Sequence, residues 1–455
     1  MSSSFDEDLE HALSGAQEPQ GKKAERHLHQ AQGPEASAGQ GSSRRAVLTA
    51  GIAGAGLGVA ATLASQYAAQ AIEEGQEKAP EDPPLEGATV PFYGQRQAGV
   101  DTPAPAHASF IAVNLNSEIG REGIARLLRV LTDDAARLTQ GRATLTDQEA
   151  ELATVAANLT VTFGFGPRIF DIVAPEKKPS WLKPLPAFDQ IDQLQPEWND
   201  GDLLIQLCAD DPMTIAHAQR VLLKNVRTFG RVHWVQNGFR RAYGSERPGQ
   251  TVRNLFGQID GTINPAAEDG SMDSMVWGNH EELTPWEPGG TSLVIRRIHM
   301  NLDTWDQADR PAREDAVGRK LSNGAPLTGQ EERDPADLSA TNELGFTVIA
   351  PYAHIRRAAA TTRVERILRR GYSYDLPVAD ASGFSEHRQI SGGVSRSGLI
   401  FCSYQADPVK QFLPIQQRLA ELDMLNTWTV PIGSAVFAIP AGCSEGGFVG
   451  QGLFQ

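Results

Sequence analysis

Three short stretches concentrate side chains that can move protons, hold charge or bind a metal. The first is NLFGQIDGTINP, residues 254–265, where Asp260 stands between an apolar lead-in and Gly261. Asp-Gly is a common turn pair, so a turn aspartate is its plainest role. The functional reading is a carboxylate held in a half-apolar place, ready to accept and return a proton. Glycines on both sides would let the backbone approach a flat ligand closely. The second stretch is FTVIAPYAHIRRAAA, residues 346–360, an apolar run that ends in His354 and is followed by Arg356 and Arg357. A lone histidine is most often structural; the alternative is an axial ligand with arginines at hand for carboxylates. The third is RILRRGYSYD, residues 366–375, where Arg369 and Arg370 precede Gly371 and Tyr372. A helix end with cations in its last turn explains it simply. The functional reading is an arginine aimed into a site.

Other chemistries are excluded or weakened by composition. The 455-residue chain has a formal net charge of -15, against the basic stripe that nucleic-acid binding requires. The three cysteines, Cys208, Cys402 and Cys443, are too far apart for a CxxC metal site. Cys208 and Cys402 lie in strand-like runs and read as small buried apolar residues; Cys443 reads as a loop residue.

The elements that must position these residues repeat. DLLIQLCADDPMTIAHAQRVLLK, from Asp202, and GLIFCSYQADPVKQFLPIQQRLA, from Gly398, each run strand, Asp-Pro, helix. Asp211 and Asp407 fall in matching places, where an aspartate caps free N–H groups and proline fits the first turn. Each half opens on a strand, from Ser109 and from Ser292. Ile124, Leu127, Leu128, Leu131, Ala135 and Leu138 form one apolar stripe at helical spacing, ending before Gly141. The pattern predicts two related α+β units with helices on one face of antiparallel sheets. The expected boundaries are 106–285 and 286–455.

The N-terminus reads as an address. Residues 1–41 are polar and low in aliphatics, as disordered chain is. In 42–71 Arg44 and Arg45 precede a Gly/Ala-rich apolar run that ends in Ala-Gln-Ala, similar to a twin-arginine export signal. A membrane-spanning helix is the rival, though its glycines suit a permanent anchor poorly. Residues 72–105 are rich in proline and acid and read as a linker, so the fold should start near Ala106. An exported protein would reside outside the cell or in its envelope, and would need the twin-arginine machinery as a partner.

Taken together, the GxxDGT, HIRR and LRRGYSY segments resemble the dye-decolourising peroxidases, a haem family. The likeness extends through LTVTFGFGPRIFD, GDLLIQLCADDP, GGTSLVIRRIHMNLDTWD and LNTWTVPIGSAVFAIPAG, in family order, from Ser109 to Gln455. The signal points to the exported branch, which includes the peroxidase/deferrochelatase proteins of iron uptake. The resemblance implies two ferredoxin-like units with their sheets packed as a sandwich, and one haem b in the C-terminal half. It implies His354 as the proximal iron ligand, Asp260 as the distal acid–base and Arg369 as the distal arginine, with Gly261, Thr262 and Ile263 against the haem. The family's Asn-Pro-Arg after the HIR segment is replaced here by Ala359-Ala360-Thr361, leaving Arg356, Arg357 or Arg363 for a haem propionate. Gly371 stands where some relatives have a distal asparagine.

The implied activity is reduction of hydrogen peroxide with oxidation of dye-like, phenolic or other one-electron donors. Aspartate, with a reference pKa of ~3.9, is a weaker base than histidine, so activity is expected to favour acidic pH. The proximal imidazole needs an acceptor on its other nitrogen, and Asp407 is the expected one. Tyr372, Tyr374, Trp305 and Trp428 are candidates for carrying electrons to bulky donors, with packing as their plainer role. Three rivals stand beside this reading: a deferrochelatase or ferrous-iron-oxidising component of iron uptake, a haem-binding module without turnover, and a non-haem α+β dimer. A homodimer fits an acidic α+β protein of this size.

Overall fold

Alternation along the strands sets the architecture. In β1 (His107–Leu115), Ala108, Phe110 and Ala112 face one apolar cluster, while Ile111, Val113 and Leu115 face another. A period of two puts neighbours on opposite faces, so this strand has a core on each side. The structure is a computed structural model, and it describes residues 85–246, 250–377 and 394–455. The expected n-region (1–41), the export signal (42–71) and residues 72–84 of the linker lie outside them.

The first half contributes β1, β2 (Thr160–Phe165), β3 (Leu203–Ala209) and β4 (Gly230–Phe239), in the spatial order β4-β1-β3-β2. The second contributes β5 (Thr291–Met300), β6 (Leu368–Arg369), β7 (Tyr372–Asp375), β8 (Ser397–Gln405) and β9 (Thr429–Ile439). Its order is β9-β5-β8, with β6 and β7 end to end along the free edge of β8. Counting β6 and β7 as one interrupted strand, the two halves share one strand order. The ferredoxin-like pair expected from the sequence is therefore present. Beyond that expectation, the sheets meet at both edges, through Phe165↔Ala438 (β2–β9) and Phe239↔Ser373 (β4–β7).

Between the sheets lies one core, with Phe110, Leu204, Leu293, Ile295, Ile400, Cys402, Tyr404 and Phe437. Outside the first sheet, helix Arg121–Leu138 buries Ile124, Leu127, Leu128, Leu131, Ala135 and Leu138, the whole predicted stripe. Helix Pro212–Val226 packs beside it through Ile215, Ala218 and Leu222. Each large aliphatic side chain buried this way contributes about 1.5–3 kcal/mol relative to exposure. Asp211 caps its helix as expected, Oδ2 accepting from the Thr214 N–H at 2.7 Å. In the second half the corresponding helix, Phe412–Leu422, starts four residues late. Pro414 explains the delay: a helix begun at Pro408 would place it in the interior, where its missing N–H breaks a bond.

The approach to the fold corrects the expected start at Ala106. Phe92, Gln97 and Val100 are buried. The Gln97 Nε2 donates to the carbonyls of Phe163 (3.0 Å) and Pro440 (2.9 Å), and its Oε1 accepts from the Phe163 N–H (2.8 Å). This amide bridges the seam where β2 and β9 share a single residue pair. Proline-rich composition resembles a linker, yet here it supplies backbone that a sheet edge can hold.

Candidate active site

In the second half the crossover after β5 is not one helix. It runs through short helices Leu302–Trp305 and Arg310–Val317, a long loop, and the single turn His354–Arg357 before reaching β6. That length lets it build a site over the outer face of the second sheet.

The loop that carries Asp260 closes on itself first. The Asp260 N–H donates to Val252 O at 2.9 Å, and Arg253 and Ile259 form an isolated antiparallel bridge. The turn at its tip places Gly257 at φ 75°, a conformation that favours glycine. Gly261 follows Asp260 at φ 117°, where an L side chain would be strained. The Arg253 guanidinium ties the hairpin to the carbonyls of Leu321 and Ser322.

Arg369 reaches this loop from β6. Its side chain lies opposite to that of Arg370, because adjacent strand residues alternate. Arg369 pairs in register with Ser403 on the outer face. Arg370 points between the sheets and donates to the carbonyls of Thr102 and Pro103. Of the two arginines, one faces the site and the other faces the core. Arg369 Nη1 lies 2.8 Å from Asp260 Oδ1, with about a quarter of each side chain exposed. The charges touch, yet that oxygen is fully shielded and makes no aligned hydrogen bond. The pair is thus coulombic, and the carboxylate keeps a lone pair free for another proton donor.

His354 sits at the start of its turn, and Nδ1 meets Asp423 Oδ2 at 2.6 Å. Asp423 is almost fully buried and also accepts from the Leu425 N–H through Oδ1 (3.0 Å), joining the helix before it to the turn after it. Burial pushes the imidazole pKa down; the charge and hydrogen bond of Asp423 outweigh it and leave it above the ordinary histidine value. The charges of Arg369 and Asp260 also reach this ring, in opposite senses, so the two pairs share one electrostatic environment. With Nδ1 engaged, Nε2 makes no hydrogen bond to a described residue. An imidazole fixed through Nδ1 by a buried carboxylate, with an aspartate–arginine pair whose charges reach the same ring, is a set of residues that would fit a haem iron and a proton relay beside it.

Comparison with known proteins agrees. Residues 97–240 match the family model "Dyp-type peroxidase, N-terminal" and residues 251–444 match "Dyp-type peroxidase, C-terminal". The chain belongs to the Dyp-type peroxidase family. It is 36% identical over 447 residues to a dye-decolorizing peroxidase of Thermobifida fusca, covering 91% of this chain and 98% of that one. It is 32% identical over 385 residues to a deferrochelatase of Escherichia coli, covering 80% and 87%. A DyP-type peroxidase crystal structure from Cellulomonas bogoriensis superposes with a TM-score of 0.76 at 47% identity, covering 82% of this chain and all of that one. As a Dyp-type peroxidase the protein is a haem-dependent oxidoreductase acting on hydrogen peroxide. Asp260, His354, Arg369 and Asp423 all fall within the C-terminal match.

Several site expectations of the sequence need correction. Asp407 does not contact His354. Its Oδ1 accepts from the N–H groups of Val409 (2.8 Å) and Lys410 (3.2 Å), which is turn capping and nothing more. The carboxylate that meets His354 Nδ1 is that of Asp423, which sequence pattern missed because its only local mark is a position just past a helix. Arg356 donates through Nε and Nη2 to the carbonyls of Leu338, Ile349 and Ala350, which tie it to its own loop. Arg357 donates to Arg418 O and pairs with Glu421. Arg363 is exposed and has no partner among the described residues. Thr262 donates to Glu332 Oε1 at 2.9 Å, and Ile263 is 63% exposed.

The electron-transfer candidates divide. Tyr372 and Tyr374 lie in the core between the sheets, which bears out packing. Burial pushes the Tyr374 hydroxyl up to about 12 despite the nearby Arg297, and Tyr372 is raised further. Trp305 packs between Phe256 (centroids 4.4 Å, rings tilted) and Trp428 (4.9 Å, edge to face). It thereby wedges the loop bearing Asp260 against the segment that follows Asp423.

Proposed function

We propose that this Dyp-type peroxidase works through two carboxylate-backed pairs. His354, held by Asp423, would hold the haem iron, and Asp260 with Arg369 would handle the proton and charge of peroxide. The observation that carries this reading is the juxtaposition of Asp260–Arg369 (2.8 Å) with His354–Asp423 (2.6 Å), coupled through the imidazole. Bound haem would supply the iron and the electrons that break the O–O bond. Asp260 takes the proton from one peroxide oxygen and returns it to the other, which leaves as water. Arg369 holds the negative charge that develops on peroxide once that proton is gone, from a position already fixed before reaction. The carboxylate of Asp423 holds the Nδ1 proton, which orients the ring and raises the basicity of Nε2. Gly261 gives the chain after Asp260 a path close to a flat ligand. Arg363, exposed and unpaired among the described residues, is the candidate for a propionate.

The electron donors we assign are dye-like or phenolic molecules, as the name of the Thermobifida relative suggests. The deferrochelatase relative favours a second reading, a role in iron uptake through the same site. Arg44, Arg45 and the run after them support export by the twin-arginine route, placing the protein outside the cell or in its envelope.

The test is a haem spectrum before and after one equivalent of peroxide. Asp260→Ala should keep the Soret band and slow the peroxide-induced change by about 10²–10⁴-fold. His354→Ala should lose most bound haem. Full-speed reaction in the first, or wild-type loading in the second, removes the corresponding role.

A further inference from the structure

Arg369 is held twice by a single turn. Its guanidinium meets Asp260, while its backbone meets Asn264, four residues further along the same turn. The Asn264 Nδ2 donates to Arg369 O at 2.7 Å, and Asn264 Oδ1 accepts from the Arg369 N–H at 3.1 Å. Only one orientation of the amide can make both bonds, so its direction is determined. The turn is closed by the Asn264 N–H donating to Gly261 O at 2.9 Å. β6 lies at the end of the sheet order, so Arg369 turns its main-chain groups away from β8. There the Asn264 amide stands in for the peptide of a missing neighbouring strand.

The geometry points to Asn264 as the positioning residue of the distal pair. This inference rests on the reading of Asp260 and Arg369 given above. Satisfying an edge strand would need only some acceptor and donor. What singles out Asn264 is that the clamp and the acid–base group share one five-residue turn. The Cα of Arg369 is therefore fixed relative to Asp260, and the length of the arginine side chain then sets where its guanidinium can go. Without the clamp, β6 is free to shift against the Asp260 turn, while Asp260 and Arg369 both remain present. A displacement of about 1 Å in such a pair is enough to cost roughly 100-fold in rate.

The experiment is a double-mutant cycle on the peroxide-induced spectral change, using haem-loaded protein. Asn264→Ala should retain the Soret band and react about 10- to 100-fold more slowly. In the Arg369→Leu background, adding Asn264→Ala should cost no more than about threefold, because the residue it positions is already gone. Asn264→Asp keeps the acceptor for the Arg369 N–H and should fall between wild type and Asn264→Ala; it replaces the alanine variant if that one does not hold haem. A mere edge-satisfying role predicts a lower Tm with an unchanged peroxide rate, or losses that multiply in full across the two sites; either result overturns the proposal. If wild type reacts quickly and the losses are additive, only the clamp fails. If haem-loaded wild type shows no peroxide-induced change, the reading of the distal pair itself fails.

Discussion

Asp423→Asn isolates the charge behind His354, the iron ligand proposed above. The substitution keeps size and shape, and Oδ1 can still accept from the Leu425 N–H, so the join between helix and turn survives. What disappears is a buried negative charge 2.6 Å from His354 Nδ1. A hydrogen bond to a charged group contributes about 1.5–3 kcal/mol net. If that contribution is expressed in iron ligation, haem affinity falls by about 10- to 150-fold, at about 1.4 kcal/mol per decade. The range agrees with the roughly 10- to 100-fold expected for a residue that orients a metal ligand. An asparagine can also donate to Nδ1, which moves the ring proton to Nε2 and disfavours ligation in that fraction. The assay is titration of haem into apoprotein, followed at the Soret band, with Asp407→Ala in parallel. Asp407 only caps a turn, so its loss should cost about 0.5–2 kcal/mol of folding stability and leave haem affinity unchanged. Wild-type affinity in Asp423→Asn would refute the reasoning, as would equal weakening by Asp407→Ala.

Three further outcomes are expected. Arg369→Leu should slow the peroxide step with haem still bound, whereas Arg370→Leu should lower Tm by releasing Thr102 and Pro103 and leave the peroxide rate alone; stopped-flow spectra and a melting curve on each separate the two. Asp134 is buried, and desolvation outweighs its Asn225 hydrogen bond to raise its pKa from 3.8 to about 6. Native protein therefore binds that proton more tightly than unfolded chain, so this group's contribution is most favourable below pH 3.8 and declines as pH rises through 6. Asp134→Asn should abolish that decline and raise stability at pH 7, by at most about 3 kcal/mol from some two pKa units, read from urea midpoints at pH 4 and 7. Trp305→Ala should destabilise by about 3–5 kcal/mol, the usual cost of emptying a buried aromatic site, with Soret loss tracking unfolding.

Local rules carried the repeated strand–cap–helix units a long way. Asp211, the stripe from Ile124 to Leu138, and the buried Cys208 and Cys402 all lie where pattern put them, because each depends on neighbours within a turn or a strand. The site was legible only where family likeness supplied the residues. Asp260, His354 and Arg369 are individually ambiguous, and nothing in their spacing relates them. The contacts that assemble them span 69 residues for His354–Asp423 and 105 for Asn264–Arg369. Asp407 stands out in the sequence because strand–cap–helix periodicity marks it, while a buried acceptor beyond a helix, such as Asp423, has no period. The contacts of Arg356 were hidden for a similar reason: a loop that must satisfy its own carbonyls can engage an arginine, and no sequence rule counts those carbonyls. The joining of the two sheets at both edges was likewise invisible, since each join is one residue pair.

Alternation along β6 has one more consequence. It divides two consecutive arginines between two environments. Arg369 meets Asp260 on the outer face, and Arg370 grips Thr102 and Pro103 across the core. The segment that approaches β1 is thus anchored one residue away from Arg369. The same segment carries Gln97, which closes the β2–β9 seam. Arg369 is thus held along both edges of its strand: its own N–H and C=O meet the Asn264 amide, and the next N–H, that of Arg370, donates to Cys402 O of β8 at 2.9 Å. A preorganised charge is effective only if it does not relax when charge appears beside it. The fold supplies backbone contacts on both strand edges of Arg369 and leaves the guanidinium to meet Asp260.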